Sequence, residues 1–403
     1  MKEVFNKKNI IILIGICIIV RLLLAFLYYN YDDLYTFNYF WLHRINEHGI
    51  FNIYKVGMGV ENAPVDYPPL FLIMLGILSK LVVTLENNPY IFQFLMKLPA
   101  LIFDFSIIIF LYRKVNFKVA ALWAINLAAI VNSSMWGQTD NILIFYLILM
   151  FYYIYKNKPN LVGIMAAMCC LTKLQGVYIV PIYLLYILTY DSDIKSKIKS
   201  IVCGLITGIG VWAPFCIASM DVTLPFKIYF GGFGKYKEMS AGAANIWFFV
   251  VRKHYDENQF LCILSYILLI ICILFLISTF IKTKDIYFSS AIYLFMIYMI
   301  TFSQRERYGI YFMTLFLIVY IVNKDKFMLK SYLVSLICNG VISLGFLVQK
   351  NWGLITEYTG KIIEHMQISL NIVRISWLIA VVVMIILMLC ILKYRKKKIR
   401  AVN

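Results

Sequence analysis

Five short polar clusters carry the residue types needed to move a group between oxygen atoms. They are Asp32-Asp33, Asp66-Tyr67, Trp136-Gly137-Gln138-Thr139-Asp140, Lys173-Leu174-Gln175 and Gln304-Arg305-Glu306-Arg307. A carboxylate within hydrogen-bond reach of a hydroxyl can take its proton. Arginine and lysine can stabilise a departing phosphate, arginine through a planar two-pronged grip. Each cluster stands at the end of an apolar run. An ionisable group near hydrocarbon is costly and marks a functional site by default.

The apolar runs must hold these clusters in place. The chain has 403 residues, 62% of them hydrophobic. A bilayer core of about 30 Å takes roughly 20 apolar residues per helix. Because unpaired backbone groups cannot face lipid, only helices or closed barrels cross it. The runs are long and lack strict alternation, so the expected fold class is all-α, a polytopic transmembrane helical bundle. The formal net charge of +18 comes largely from short loops and the two tails. That is how membrane proteins fix orientation, and it excludes a nucleic-acid partner. The tail Lys393–Arg400 is expected to touch anionic lipid. All nine cysteines fall in apolar segments, so neither disulfides nor a zinc site is expected.

Basic clusters taken as cytoplasmic markers give about twelve spans: 10–29, 91–112, 119–135, 139–155, 161–172, 176–190, 199–218, 258–281, 286–303, 308–323, 331–348 and 373–392. Both termini are then cytoplasmic. The first run reads as a retained helix rather than a signal peptide. Residues 30–90 form a long outer loop of amphipathic and re-entrant helices, with Leu34, Phe37, Trp41, Leu42 and Ile45 at helical spacing. Residues 67–85 provide its second helix. The whole chain, 1–403, reads as one integral membrane domain, with core helices in 91–323 and C-terminal helices and a basic tail in 324–403. Residues 161–172 reach only about 18 Å, which places Lys173 and Gln175 on the floor of an outward-opening cavity.

At these residues the chain resembles the glycosyltransferase C superfamily, polytopic enzymes that use polyprenyl-phosphate sugars. The subgroup it is most similar to is the bacterial mannosyltransferases related to glycosylphosphatidylinositol mannosyltransferase, with kinship to the dolichyl-phosphate-glucose glucosyltransferases. The resemblance runs over about residues 30–320. It rests on Asp33-Leu34-Tyr35-Thr36-Phe37 with Trp41, Asp66-Tyr67-Pro68-Pro69-Leu70, Trp136–Asp140, Leu171–Gln175, Asn245-Ile246-Trp247 and Glu306-Arg307-Tyr308. One departure stands out. Relatives often carry histidine before the Glu-Arg pair, whereas this chain has Arg305, which cannot shuttle protons.

The resemblance implies inverting transfer of a mannose- or glucose-like hexose from a lipid phosphate to a hydroxyl of a lipid-linked or cell-envelope glycan. The reaction would take place on the outer face of the cell membrane, or of the endoplasmic reticulum in a eukaryote. Asp33 matches the family's first-loop acid and is the expected base, with Asp32 as helix cap or neighbouring support. Arg305, Arg307 and Lys173 are expected at the donor phosphate, with Glu306 orienting an arginine. The bland readings are headgroup anchoring for the arginines and snorkelling for Lys173. Tyr67, Trp136, Gln138, Gln175, Asn245 and Trp247 are candidates for sugar or acceptor contact. So are Asp66, which could equally scaffold its Tyr-Pro-Pro turn, and Asp140, which could instead cap a helix. No cofactor or divalent metal is expected. The expected partners are the lipid-linked donor, the glycan acceptor and membrane lipid. Two rivals are a secondary transporter of a polar solute and an outer-face polysaccharide polymerase or ligase. A transporter would be expected to show duplicated halves, and none is visible here.

Overall fold

The computed structural model describes residues 7–28, 33–34, 38–58, 63–189, 193–232, 237–250, 254–359 and 364–401. In chain order the helices are α1 (Lys7–Leu27), α2 (Tyr39–His48), α3 (Ile53–Gly57), α4 (Pro69–Leu85), α5 (Pro89–Lys114), α6 (Phe117–Ala124), α7 (Leu127–Ile130) and α8 (Asp140–Tyr155). There follow α9 (Pro159–Thr172), α10 (Val180–Thr189), α11 (Ile194–Ser219), α12 (Leu224–Gly232), α13 (Gln259–Thr283), α14 (Ile286–Ile300), α15 (Gly309–Asn323), α16 (Lys326–Thr359) and α17 (Glu364–Arg400). Among the described residues there is no β-strand, only isolated bridges.

Local sequence explains the helix starts. Asn88, Asn116, Asp193, Asn258 and Asp285 each accept hydrogen bonds from the first-turn N–H groups of the helix that follows. Proline opens α4, α5 and α9, where its missing N–H costs nothing.

Among the described residues, six helices are long and apolar enough to cross a membrane: α1, α5, α11, α13, the Lys326–Leu347 part of α16 and the Asn371–Arg400 part of α17. The sharply bent pair Phe117–Ala124 and Leu127–Trp136 makes a seventh if counted as one span. The protein is thus an all-helical, multi-pass membrane protein. The other expected spans are helices too, but short ones. The longest, α8, has 16 residues and α9 has 14, roughly 24 and 21 Å against a core of about 30 Å.

The chain divides into two compact units, Met1–Ile125 with Asn132–Lys235, and Asn126–Val131 with Tyr236–Asn403. In unit 1, Trp41, Leu42 and Ile45 form the apolar face of α2, as their spacing predicts. They share a core with Leu34 and with Phe71, Leu72 and Leu75 of α4. That face is covered by protein and is not left for lipid. Phe37 lies outside the described residues.

Unit 1 also buries charge. Arg21 of α1 donates from Nε to Asp104 of α5 at 2.8 Å, both side chains wholly buried. Its Nη1 donates to the Ala124 carbonyl at 2.6 Å, and Trp123 Nε1 donates to the second Asp104 oxygen at 2.7 Å. Lys97 of α5 is also fully buried. It donates to the Ala25 and Tyr28 carbonyls at 3.2 and 2.7 Å, while Gln93 donates to that of Phe26. These orphan carbonyls end α1, where a cation is favoured. Expectations confined to the ends of spans missed all of these groups.

A seam of small residues joins α9 to α11. A Cβ on Gly163 would sit 2.0 Å from the Ser200 carbonyl oxygen, and one on Gly204 would sit 3.0 Å from that of Gly163. Ser200 and Gly204 are one turn apart on α11, the small-residue spacing that lets membrane helices approach closely. Ser200 Oγ also donates to the Pro159 carbonyl at 2.6 Å. Gly163→Leu is expected to destabilise the purified protein by about 1–3 kcal/mol or more, read as a lowered unfolding temperature. Gly208→Leu, placed where nothing lies within 4 Å, is the control and leaves that temperature unchanged.

Candidate functional site

One turn of chain gathers three carboxylates in unit 1. Residues Val131–Trp136 form a π-helical turn, a rare conformation that is frequent at functional sites. Its residues reach three different acids. Ser133 Oγ donates to Asp104 Oδ2 at 2.7 Å. Asn132 Nδ2 donates to Asp140 Oδ2 at 3.2 Å. Trp136 Nε1 donates to Asp33 Oδ2 at 2.7 Å, and Gln138 Nε2 donates to the same Asp33 oxygen.

Gly137 makes this route possible. Its φ is 75°, in the left-handed region, and a Cβ there would fall 2.8 Å from Lys97 Cγ and 3.3 Å from Leu34 Cδ2. Only glycine tolerates both the conformation and the space. Lys97 therefore buttresses the residue that separates the two donors to Asp33.

The three acids differ in what neutralises them. Asp104 has Arg21 against it. Asp140 has Lys173, whose Nζ lies 3.0 and 2.9 Å from its two oxygens, with the side chains 0% and 3% exposed. Asp33 is half-buried and has no cation against it among the described residues. Both of its donors are neutral and both take Oδ2. Oδ1 is the oxygen left to accept a proton.

Several expected roles change. Lys173 is held by Asp140 and buried, so it is neither a snorkelling side chain nor placed as a phosphate ligand. Asp140 does not cap α8. It is the first helical residue, follows Thr139, and spends its carboxylate on Lys173 and Asn132. Trp136 is 1% exposed and orients Asp33, leaving no face for a sugar to stack on. Gln138 is buried and holds the same carboxylate. Gln175 is half-buried in the 3₁₀ turn Leu174–Ile179. Asp32, expected beside Asp33, lies outside the described residues, as do Tyr35, Thr36 and Phe37.

The loop around Asp66 is tied down by its neighbours. Trp41 Nε1 and Arg44 Nη1 both donate to the Ala63 carbonyl, at 3.1 and 2.7 Å. Tyr54 OH donates to the Tyr67 carbonyl at 2.7 Å. Burial, and then the nearby Tyr229 and Asp66, pushes the Tyr54 phenol well above its ordinary range, so it stays a donor. Tyr67 packs on Trp41 and Phe71, with ring centres 5.3 and 5.9 Å apart. Scaffolding thus accounts for Tyr67. Asp66 is half-buried at the turn.

In unit 2 the Arg305 loop pairs with residues 241–242 through isolated bridges. Glu306 does orient an arginine, but the one it holds is Arg307, at 2.8 Å with side chains 0% and 7% exposed. Arg307 also lies over the Tyr308 ring. Arg307 is thereby buried and paired, and Arg305 is half-buried. Glu306 Oε2 is buried near Gly242, with no hydrogen-bond partner among the described residues.

Asn245 was expected at the acceptor. Instead it is 1% exposed, donates to the Tyr298 carbonyl at 3.1 Å and accepts from Trp247 N–H. Trp247 Nε1 donates to the Ile300 carbonyl at 2.8 Å. The pair fastens this loop to the end of α14. Lys237 is exposed at the surface. It pairs with Asp256 at 2.7 Å, and that hydrogen bond raises the lysine pKa and lowers that of the carboxyl.

The residues that sequence reasoning missed are Arg21, Asp104, Asn132, Ser133 and Lys97. A usable signal was present: single charges of opposite sign inside the first two spans. No protein-family model matches the chain, and no curated protein matches it.

Removing one partner of a buried ion pair strands the other charge at a cost of about 3–5 kcal/mol. Lys173→Met is therefore expected to lower thermal stability sharply, and the double variant Asp140→Asn with Lys173→Met to recover most of the loss. If Lys173→Met unfolds at the wild-type temperature, the lysine is not held by Asp140.

Proposed function

We propose that this chain is a membrane glycosyltransferase of the glycosyltransferase C type, in which Asp33 is the general base. The donor is a polyprenyl-phosphate hexose, mannose- or glucose-like, and the acceptor is a hydroxyl of a lipid-linked or cell-envelope glycan on the outer face. The chain crosses the membrane about twelve times with both termini in the cytoplasm.

One observation supports the reading above the others. Of three carboxylates addressed by a single π-helical turn, Asp33 alone is half-buried, cation-free among the described residues and fixed through only one oxygen. A base needs a settled orientation, an oxygen to spare and access to the nucleophile. Asp104 and Asp140 meet the first requirement and fail the others.

In the proposed reaction the acceptor oxygen attacks the anomeric carbon, and its proton passes to Asp33 Oδ1. The bond from that carbon to the phosphate oxygen breaks, and the electron pair leaves with polyprenyl phosphate. Attack opposite the leaving group inverts the anomeric centre. The resemblance gives Arg305 the donor phosphate role, because charge developing on a leaving phosphate is stabilised by a guanidinium. Arg307 and Glu306 shape that turn.

Purified protein incubated with a panel of polyprenyl-phosphate sugars and glycolipid acceptors tests the reading. Asp33→Asn is expected to cut turnover by about 10²–10⁴-fold while donor binding persists. Arg305→Ala is expected to raise the KM for donor. Wild-type turnover in Asp33→Asn rejects Asp33 as base. Solute flux through reconstituted vesicles with no transfer to any acceptor favours the transporter reading instead.

A further inference from the structure

Unit 2 contains a joint that the proposed reaction does not use. Two of its helix–helix turns repeat one device. At Thr283-Lys284-Asp285, Lys284 is left-handed with φ 53° and ends α13, and Asp285 Oδ1 accepts from the Phe288 N–H to start α14. At Asn323-Lys324-Asp325, Lys324 has φ 55° and ends α15, and Asp325 Oδ1 accepts from the Phe327 and Met328 N–H groups to start α16. Each aspartate uses one oxygen as a cap and turns Oδ2 toward the end of α17, and Asp285 Oδ2 also accepts from Asn323 Nδ2 of the neighbouring turn at 2.6 Å.

That end docks through three residues. Lys398 Nζ lies 3.2 Å from Asp285 Oδ2 and 3.7 Å from Asp325 Oδ2, and 4.1 Å from the Phe288 ring centre. Tyr394 OH donates to Asp325 Oδ2 at 2.8 Å, and its ring stacks on Phe327 with centres 4.1 Å apart. Arg395 donates to Thr279 and Ser278 at 2.6 and 2.8 Å. Residues 394, 395 and 398 share one helical face.

The helical period sends the rest of the basic run the other way. Lys393, Lys396, Lys397 and Arg400 are all exposed. At the adjoining turns Lys282, Lys284, Lys324 and Lys326 are exposed as well. The two aspartates that could balance them are already bound to the inward cations. The patch sits at the ends of α13 and α17, helices apolar and long enough to cross a membrane. It therefore lies where lipid headgroups are, within a Debye length of about 10 Å.

We propose that this end of unit 2 is a docking surface for anionic phospholipid headgroups, and that Asp285, Asp325 and Lys398 form a latch that presents the outward row of α17 to them. Charge complementarity names the partner, since basic segments beside a membrane are attracted to anionic lipid. The latch gives a consequence that net charge alone does not. Neutralising the aspartates makes the protein more positive, yet it releases the row that binds.

The test is native mass spectrometry of the full chain in neutral detergent, titrated with phosphatidylglycerol or phosphatidylcholine. The wild type is expected to bind phosphatidylglycerol in preference, and the binding to weaken with added salt. The surface variant Lys396→Gln, Lys397→Gln, Arg400→Gln is expected to lose at least about tenfold in affinity with an unchanged unfolding temperature. The latch variant Asp285→Asn, Asp325→Asn is expected to bind more weakly than wild type despite its added positive charge. Equal binding of the two lipids, or wild-type affinity in the surface variant, overturns the docking surface. Tighter binding by the latch variant overturns the latch. If the latch variant does not fold, the surface variant and the lipid comparison still decide the docking surface.

Discussion

A carboxylate carried into an apolar helical bundle must be given either a cation or enough hydrogen-bond donors, because desolvation otherwise costs several kcal/mol. Unit 1 answers this constraint three times within one stretch of chain. The π-helical turn 131–136 supplies a donor to each of Asp104, Asp140 and Asp33. Arg21 and Lys173 complete the first two. The third is completed, among the described residues, by Trp136 and Gln138.

The two neutralised acids act as anchors. Asp104 draws α1, α5 and α6 together, since Arg21, Trp123 and Ser133 all converge on it. Asp140 fixes the start of α8 to the end of α9 through Lys173. Between these anchors the chain turns at Gly137, against the buried stem of Lys97. Asp33 is thus oriented by residues whose own positions are set by ion pairs buried in the same unit. In the proposed enzyme that arrangement separates structural charge from reactive charge.

Much of the scaffold was legible in the chain. The apolar runs match helices because length and periodicity are local properties, and Asn88, Asn116 and Asp285 signal helix starts by themselves. The α2 face followed from the spacing of Trp41, Leu42 and Ile45. The contact of Asp33 with Gln138 was not legible, since a pairing across 105 residues leaves no local trace. The same distance in sequence hid Arg21 and Asp104, 83 residues apart. Lys173 and Asp140 were each noticed, yet each was given a separate role, because a sequence shows charge without showing which charge answers it. Asn245 illustrates the converse error. A polar residue in a loop invites a ligand, and this one holds the backbone.

In the proposed enzyme Asp33 is the reactive carboxylate, and Asp104 and Asp140 are structural. Carbodiimide labelling of the folded protein in the presence of an amine, mapped by peptide mass spectrometry, tests it most directly. The account predicts modification at Asp33 and none at Asp104 or Asp140 until the protein is denatured. Labelling of Asp104 or Asp140 in the folded state at a rate matching Asp33 would contradict it.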